Sequence, residues 1–210
     1  MTDREASELD YFWAALMFYT RIPVPRSALH SQHVLNRSRK YFPLIGVIIG
    51  FIATLTFFLA NLVFGFELSI ALSMLVSILA TGAFHEDGFA DSCDGFGGGW
   101  THQQVLTIMK DSRIGTYASV GLIFLLGLKF LTLLELAMFK NSALFLGVYI
   151  AAHTLSRFVS SSMIELFDYV QDIDQSKIKP ITEQKLPAVD IFTSSIIAVV
   201  PLLFLASFSI

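Results

Sequence analysis

From Tyr41 to Phe66 the chain carries no charged side chain. A run of that length, wound as helix, crosses a bilayer core of about 30 Å. Inside the core no water is present to satisfy unpaired backbone groups, so a helix is the natural solution for such a segment. Leu68 to Phe84 is shorter and also uncharged, and Gly65 and Glu67 leave room only for a tight turn, so these two stretches are expected to form a helical hairpin. Three further apolar stretches follow, Tyr117 to Phe139, Ser142 to Ile164 and Ile191 to Ile210. Tyr11 to Tyr19 is too short to span and reads as an interfacial helix with Trp13 and its two tyrosines at headgroup depth. The expected fold is all-α, a polytopic membrane helix bundle with about five transmembrane helices plus an N-terminal interfacial helix.

Charge scarcity points the same way. Only 15% of the 210 residues are charged and 54% are hydrophobic, where a soluble domain carries about 25% charge. A disordered chain, a coiled coil and a nucleic-acid binder each need far more charge. Cys93, the single cysteine, excludes an internal disulfide. The acid-rich start MTDREASELD is the opposite of the basic region that opens a cleavable signal peptide.

The basic residues set the orientation. Arg4, Arg21, Arg26, Arg37, Arg39 and Lys40 precede the first span; Lys110 and Arg113 lie between the second and third, and Lys177, Lys179 and Lys185 between the fourth and fifth. With five spans these regions share one side and hold all but three of the fourteen Lys and Arg, which makes that side cytoplasmic. The chain then reads as one integral-membrane domain over 1–210, with a cytoplasmic or interfacial segment 1–40 and cytoplasmic loops at 85–116 and 165–190.

The first of these loops carries the chemistry. Its start, GAFHEDGFADSCDGFGGGW, contains Glu86, Asp87, Asp91 and Asp94. If the preceding helix continues through it, Asp87, Asp91 and Asp94 fall at i, i+4 and i+7 and face one way. Carboxylates stacked like this repel each other, the more so in a partly buried setting. A solvated acidic cap is the plain alternative, yet exposed charge alone has no need of this spacing beside a membrane core. Hard oxygens without thiolate or imidazole partners favour Mg²⁺ or Mn²⁺; zinc on His85, Cys93 and His102 fits no standard spacing. Gly88 and Gly95 permit close backbone approach, and Gly97–Gly99 should end the helix and could offer N–H groups to a phosphate. Lys110, Asp111 and Arg113 follow just before the third span. They serve positive-inside topology or, more sharply, neutralise phosphate oxygens, with Asp111 as a further ligand or orienting group.

Two charged residues sit inside the fourth span. Arg157 is costly there unless it faces a polar cavity or snorkels, and His153 lies one turn away on the same face. Lys129 and Glu135 in the third span are too far round the helix from each other to pair simply. An acidic face, glycines and cations at a membrane surface suggest transfer of a phosphoryl-linked group, with metals holding pyrophosphate oxygens and a carboxylate taking a proton. A cation transporter is the rival class, but transport acids sit near the midplane rather than in a loop.

These motifs resemble the cobalamin (vitamin B12) synthase family, the adenosylcobinamide-GDP ribazoletransferases. The resemblance runs from Tyr19-Thr20-Arg21-Ile22-Pro23-Val24-Pro25 and Tyr41-Phe42-Pro43-Leu44-Ile45-Gly46 to the decisive His85-Glu86-Asp87-Gly88-Phe89-Ala90-Asp91-Ser92-Cys93-Asp94-Gly95. Lys110-Asp111-Ser112-Arg113-Ile114-Gly115-Thr116 follows, with weaker echoes at Ser156-Arg157 and Lys177-Ile178-Lys179-Pro180. It implies a multi-pass inner-membrane enzyme that joins adenosylcobinamide-GDP to α-ribazole, or its 5′-phosphate, releases GMP and depends on Mg²⁺. Carried over, Glu86, Asp87, Asp91 and Asp94 would hold Mg²⁺ and the pyrophosphate, with Asp91, Asp94, Lys110, Asp111 and Arg113 as the catalytic set. Arg21, Gly88, Gly95, Arg157, Lys177 and Lys179 would contact the substrates. The partners implied are those substrates and the lipid bilayer, with no nucleic acid; a homo-oligomer is compatible. The acidic signature is also similar in type to that of CDP-alcohol phosphotransferases. One departure is that family members usually run longer, with a Gly/Asp-rich segment near the C-terminus, so a shortened, inactive copy is a further alternative.

Overall fold

In the computed structural model, residues 6–25, 31–168 and 184–206 are described. Lys177 and Lys179 lie outside them. The chain divides into two compact units, Met1–Leu55 with Asn141–Ile210, and Thr56–Lys140.

The first unit contains α1 (Glu8–Tyr19), α2 (Gln32–Ser38), a single 3₁₀ turn (Arg39–Tyr41), the start of α3 (Phe42–Ala60), α8 (Ser142–Leu166) and α9 (Ala188–Ala206). Ser7 opens α1 with a capping box, its hydroxyl accepting the Asp10 N–H while Asp10 accepts the Ser7 N–H. The expected N-terminal helix is therefore present, but its tyrosines are spent differently. Tyr11 and Tyr19 are buried within the protein, and Tyr19 stacks on Phe42 with ring centroids 3.8 Å apart. Glycine lets α3 and α8 touch backbone to backbone. A Cβ on Gly46 would lie 2.7 Å from Thr154 Cα, and one on Gly50 would lie 2.9 Å from Ile150 Cα. In a bilayer such close approach supplies the packing that hydrophobicity alone cannot.

Charges knit the ends of these helices together. Arg39 is fully buried, and Lys40 and Asp190 are each 2% exposed. Arg37 meets Asp190 through Nε at 2.7 Å and Nη2 at 2.9 Å; Lys40 bridges Asp190 at 3.0 Å and Glu8 at 2.7 Å; Arg39 pairs with Glu165 at 2.7 Å. Cations expected to mark topology alone are thus structural as well, because a charge removed from water must be paired.

The second unit holds α4 (Phe66–Thr81), α5 (Phe84–Gly98), α6 (His102–Met109) and α7 (Thr116–Met138). On α4, Ser69, Ser73, Ser77 and Thr81 form a buried polar stripe whose hydroxyls donate to carbonyls of their own helix. The helix does not continue into the acidic segment. Gly82 (φ 64°) and Ala83 (φ 59°) both enter the left-handed region, and the chain leaves α4 at 87° to begin α5. Glycine takes that conformation freely and alanine does not, so Ala83 is held there by the bend.

By length and apolarity, the stretch Gln32–Ala60 and helices α7, α8 and α9 can each cross a bilayer, while α4 with α5 qualifies only as a bent pair. At 1.5 Å per residue α4 alone reaches about 24 Å. The protein is a multi-pass, all-helical membrane protein, as the apolar runs require.

Candidate active site

All four carboxylates of the acidic motif lie on α5, which packs between α6 and α7 in the second unit. The bend places Glu86 and Asp87 in the first turn of a new helix, where backbone N–H groups favour negative charge. Asp87 and Asp91, one turn apart, share a face of α5. Oε2 of Glu86 is buried and has no hydrogen-bond partner, an expensive arrangement for a carboxylate unless something else meets it.

Asp94 takes another part. Its Oδ2 accepts the Gly115 N–H at 2.6 Å and its Oδ1 accepts the Ala118 N–H at 2.9 Å. Gly115 is the residue that caps α7 and brings no side chain of its own, so Asp94 caps α7 from across the unit. Glycine suits 115, because a Cβ there would lie 2.5 Å from Asp94 Oδ1 and would push that carboxylate aside. The Lys110–Gly115 segment is thereby clipped to the acidic helix, at 21 residues' separation in sequence.

Within that segment, Arg113 Nη2 pairs with Asp111 Oδ2 at 2.6 Å and the Arg113 N–H bonds Asp111 Oδ1 at 3.0 Å. The guanidinium holds the Asp111 carboxyl down at about 2. Both side chains open to solvent, and Lys110 is exposed at the end of α6. Asp94, Asp111, Arg113 and Tyr117 line an open cleft of about 510 Å³ with Gly98 and Ile108. Nothing in the sequence itself marks Tyr117 as part of the cleft. Its structural signal is Gly97, whose backbone lies against the Tyr117 ring so closely that no Cβ fits between them.

The glycine run ends α5 at Gly99 as expected, but the Gly99 N–H is taken by Gly95 O. Gly95 and Gly99 serve close packing instead, since a Cβ on either would come within 2.7 Å of Met109 or Val105. Gly88 differs, because a Cβ there would meet nothing within 4 Å.

Arg21 and Arg157 belong to the first unit. Arg21 is exposed after α1. Arg157 is 3% exposed, its Nη1 donating to His153 O at 2.9 Å and lying 3.2 Å from His153 Nδ1.

Among the described residues, no three His, Cys, Asp or Glu side chains converge at metal-binding distance. The donor chemistry nonetheless suits a hard cation, because α5 carries Asp87 and Asp91 on one face and, about 100° round from Asp87, Glu86 with a buried oxygen that has no hydrogen-bond partner. Asp94 fits less well, with both oxygens already on backbone amides.

Comparison with known proteins shows the family. A family model described as Cobalamin-5-phosphate synthase matches residues 11–210. A protein of Shewanella frigidimarina named adenosylcobinamide-GDP ribazoletransferase is 47% identical over 178 residues, covering 85% of this chain and 68% of its own length. One of the same name from Vibrio cholerae is 45% identical over 197 residues, 94% of this chain and 74% of its own. A third, from Shewanella amazonensis, is 44% identical over 176 residues, 84% of this chain and 67% of its own. No solved structure matches. The chain belongs to the cobalamin-5-phosphate synthase family.

Proposed function

We propose that this protein joins adenosylcobinamide-GDP to α-ribazole, or α-ribazole 5′-phosphate, and releases GMP, the step that completes the nucleotide loop of cobalamin. The observation that carries this reading is 45% identity across 94% of the chain to a protein named adenosylcobinamide-GDP ribazoletransferase. The acidic helix and the cationic segment clipped to it are the chemistry such a transfer needs.

In this reading a ribose hydroxyl of α-ribazole attacks the phosphorus that carries cobinamide. The bond from that phosphorus to the bridging oxygen breaks, GMP departs with the electron pair, and the hydroxyl proton passes to a carboxylate on the Asp87–Asp91 face. Arg113 and Lys110 take up the phosphate oxygens. Arg113 is paired with an exposed carboxylate, Asp111, and a phosphate offers the same two-pronged partner with more charge. Asp94 keeps that cationic segment beside α5. Glu86, Asp87 and Asp91 would hold Mg²⁺, which when bound supplies fixed positive charge against the pyrophosphate. Gly88, unobstructed, lets a substrate approach the backbone between those ligands.

In this reading the membrane is the bacterial inner membrane, with the N-terminus, α5 and α6 cytoplasmic, a reading supported by the distribution of Lys and Arg along the sequence. The test is GMP release from adenosylcobinamide-GDP plus α-ribazole and Mg²⁺, using membranes containing this chain. Release that requires both substrates and ceases in Asp91→Asn is expected. Release of no GMP, or of CMP from a CDP-alcohol instead, would overturn the reading.

A further inference from the structure

α5 has a second face. Taking 100° per residue, Phe89 and Phe96 fall on one side of the helix axis, while Asp87, Asp91 and Asp94 fall on the opposite side; Trp100 follows just past the helix end, after the extended Gly99. Phe96 is 76% exposed and Trp100 is 95% exposed. An indole and a phenyl ring this open are unusual unless an apolar partner covers them.

The neighbouring surface shows what that partner is. Tyr117, Val120, Phe124, Leu128 and Leu131 recur at helical spacing along one stripe of α7, and all are exposed. On a helix long and apolar enough to cross a bilayer, such a stripe faces lipid. Phe96 and Trp100 continue this stripe beyond its end. Gly97 packs on the ring of Tyr117, the second residue of α7, and Cys93 and Phe89 pack at Gly121, one turn further in. The Phe96–Trp100 corner therefore sits level with the start of the spanning helix, at the height where tyrosine and tryptophan gather in membrane proteins.

We propose that Phe96 and Trp100 form a membrane-interface anchor, seated in the lipid headgroup zone, that pins the C-terminal end of α5 to the bilayer surface and turns its carboxylate face away from lipid. Trp rings suit this zone because they bury an apolar body while keeping an N–H in contact with water. The occupant is lipid rather than a second copy of the chain because the patch is unbroken with the lipid-facing stripe of α7.

The chain has two tryptophans, Trp13 and Trp100, so Trp13→Phe leaves Trp100 as the sole indole. In phosphatidylcholine–phosphatidylglycerol vesicles the anchor predicts blue-shifted emission. It also predicts stronger quenching by lipids brominated near the headgroup end of the acyl chain than by lipids brominated near the chain terminus. Water-like emission, quenched by acrylamide and untouched by brominated lipid, would overturn the proposal. So would emission quenched by neither, which would mean that protein, including a second copy, covers the patch. Should Trp13→Phe fail to fold, fluorotryptophan in the unaltered chain reports both indoles as separate ¹⁹F resonances, and headgroup spin-label broadening of the Trp100 signal decides the same question.

Discussion

The two units use charge in opposite ways. In the first, Arg39, Lys40 and Asp190 are buried and meet oppositely charged neighbours, so that α1, the 3₁₀ turn, α8 and α9 are tied by ion pairs out of water. In the second, Arg113 and Asp111 pair in the open, Lys110 is exposed, and Glu86 has a buried oxygen with no hydrogen-bond partner. Buried pairs are demanding, because removing one partner strands the other in a low dielectric. Exposed pairs cost little to break and can be exchanged for a substrate's oxygens. The contrast separates charges that hold the fold from charges that are available for chemistry, although all of them look alike in sequence.

That contrast can be attacked directly. The largest effect on rate is expected from Asp91→Asn, which should lower GMP release by about 10²–10⁴-fold and leave the unfolding temperature in detergent unchanged. Asp190→Asn should do the reverse, costing up to about 3–5 kcal/mol of stability by removing the carboxylate charge that faces Arg37 and one of the two that face buried Lys40, seen as a large fall in unfolding temperature. Asp94→Asn and Gly115→Ala should fall between. Each loosens the cap on α7, worth about 0.5–2 kcal/mol, and each should lower kcat and raise KM together by displacing the Lys110–Arg113 segment. The smallest effect concerns acid. Asp111 has its carboxyl held at about 2, below its ordinary value, so its pairing with Arg113 is complete above about pH 4 and is lost as pH falls through about 2. Carboxyl ¹³C shifts of Asp111 should follow that course, and Arg113→Gln should return its titration to the usual carboxylate range.

Much of the fold was legible because apolar runs with few charges have one cheap solution in a bilayer. The limits expected for α3, α7 and α8 fall within a few residues of those observed, apart from the C-terminal end of α3, because charged or capping residues such as Lys40, Gly115 and Asn141 flank them. The break between α4 and α5 was not legible. Its apolar pattern runs on through Phe84, and nothing local announces that Ala83 adopts positive φ. Helices α2 and α6 are not legible because each is too short for its few apolar residues to show a period, although Ser31 and Thr101 cap them. For the site, the motif residues were legible and their division of labour was not. Asp94 reads like Asp87 and Asp91, and only the tertiary approach of Gly115 shows that its oxygens are committed. The roles of Glu165 and Asp190 are hidden for the same reason, since each lies far along the chain from the cation it meets.

The most direct test measures GMP release per folded molecule and unfolding temperature side by side for Asp91→Asn and Asp190→Asn. The account predicts that Asp91→Asn folds like the parent and releases almost no GMP. It predicts that Asp190→Asn unfolds much earlier, while the molecules still folded turn over at close to the parent rate. Undiminished release from Asp91→Asn, or lost release from a fully stable Asp190→Asn, would contradict it.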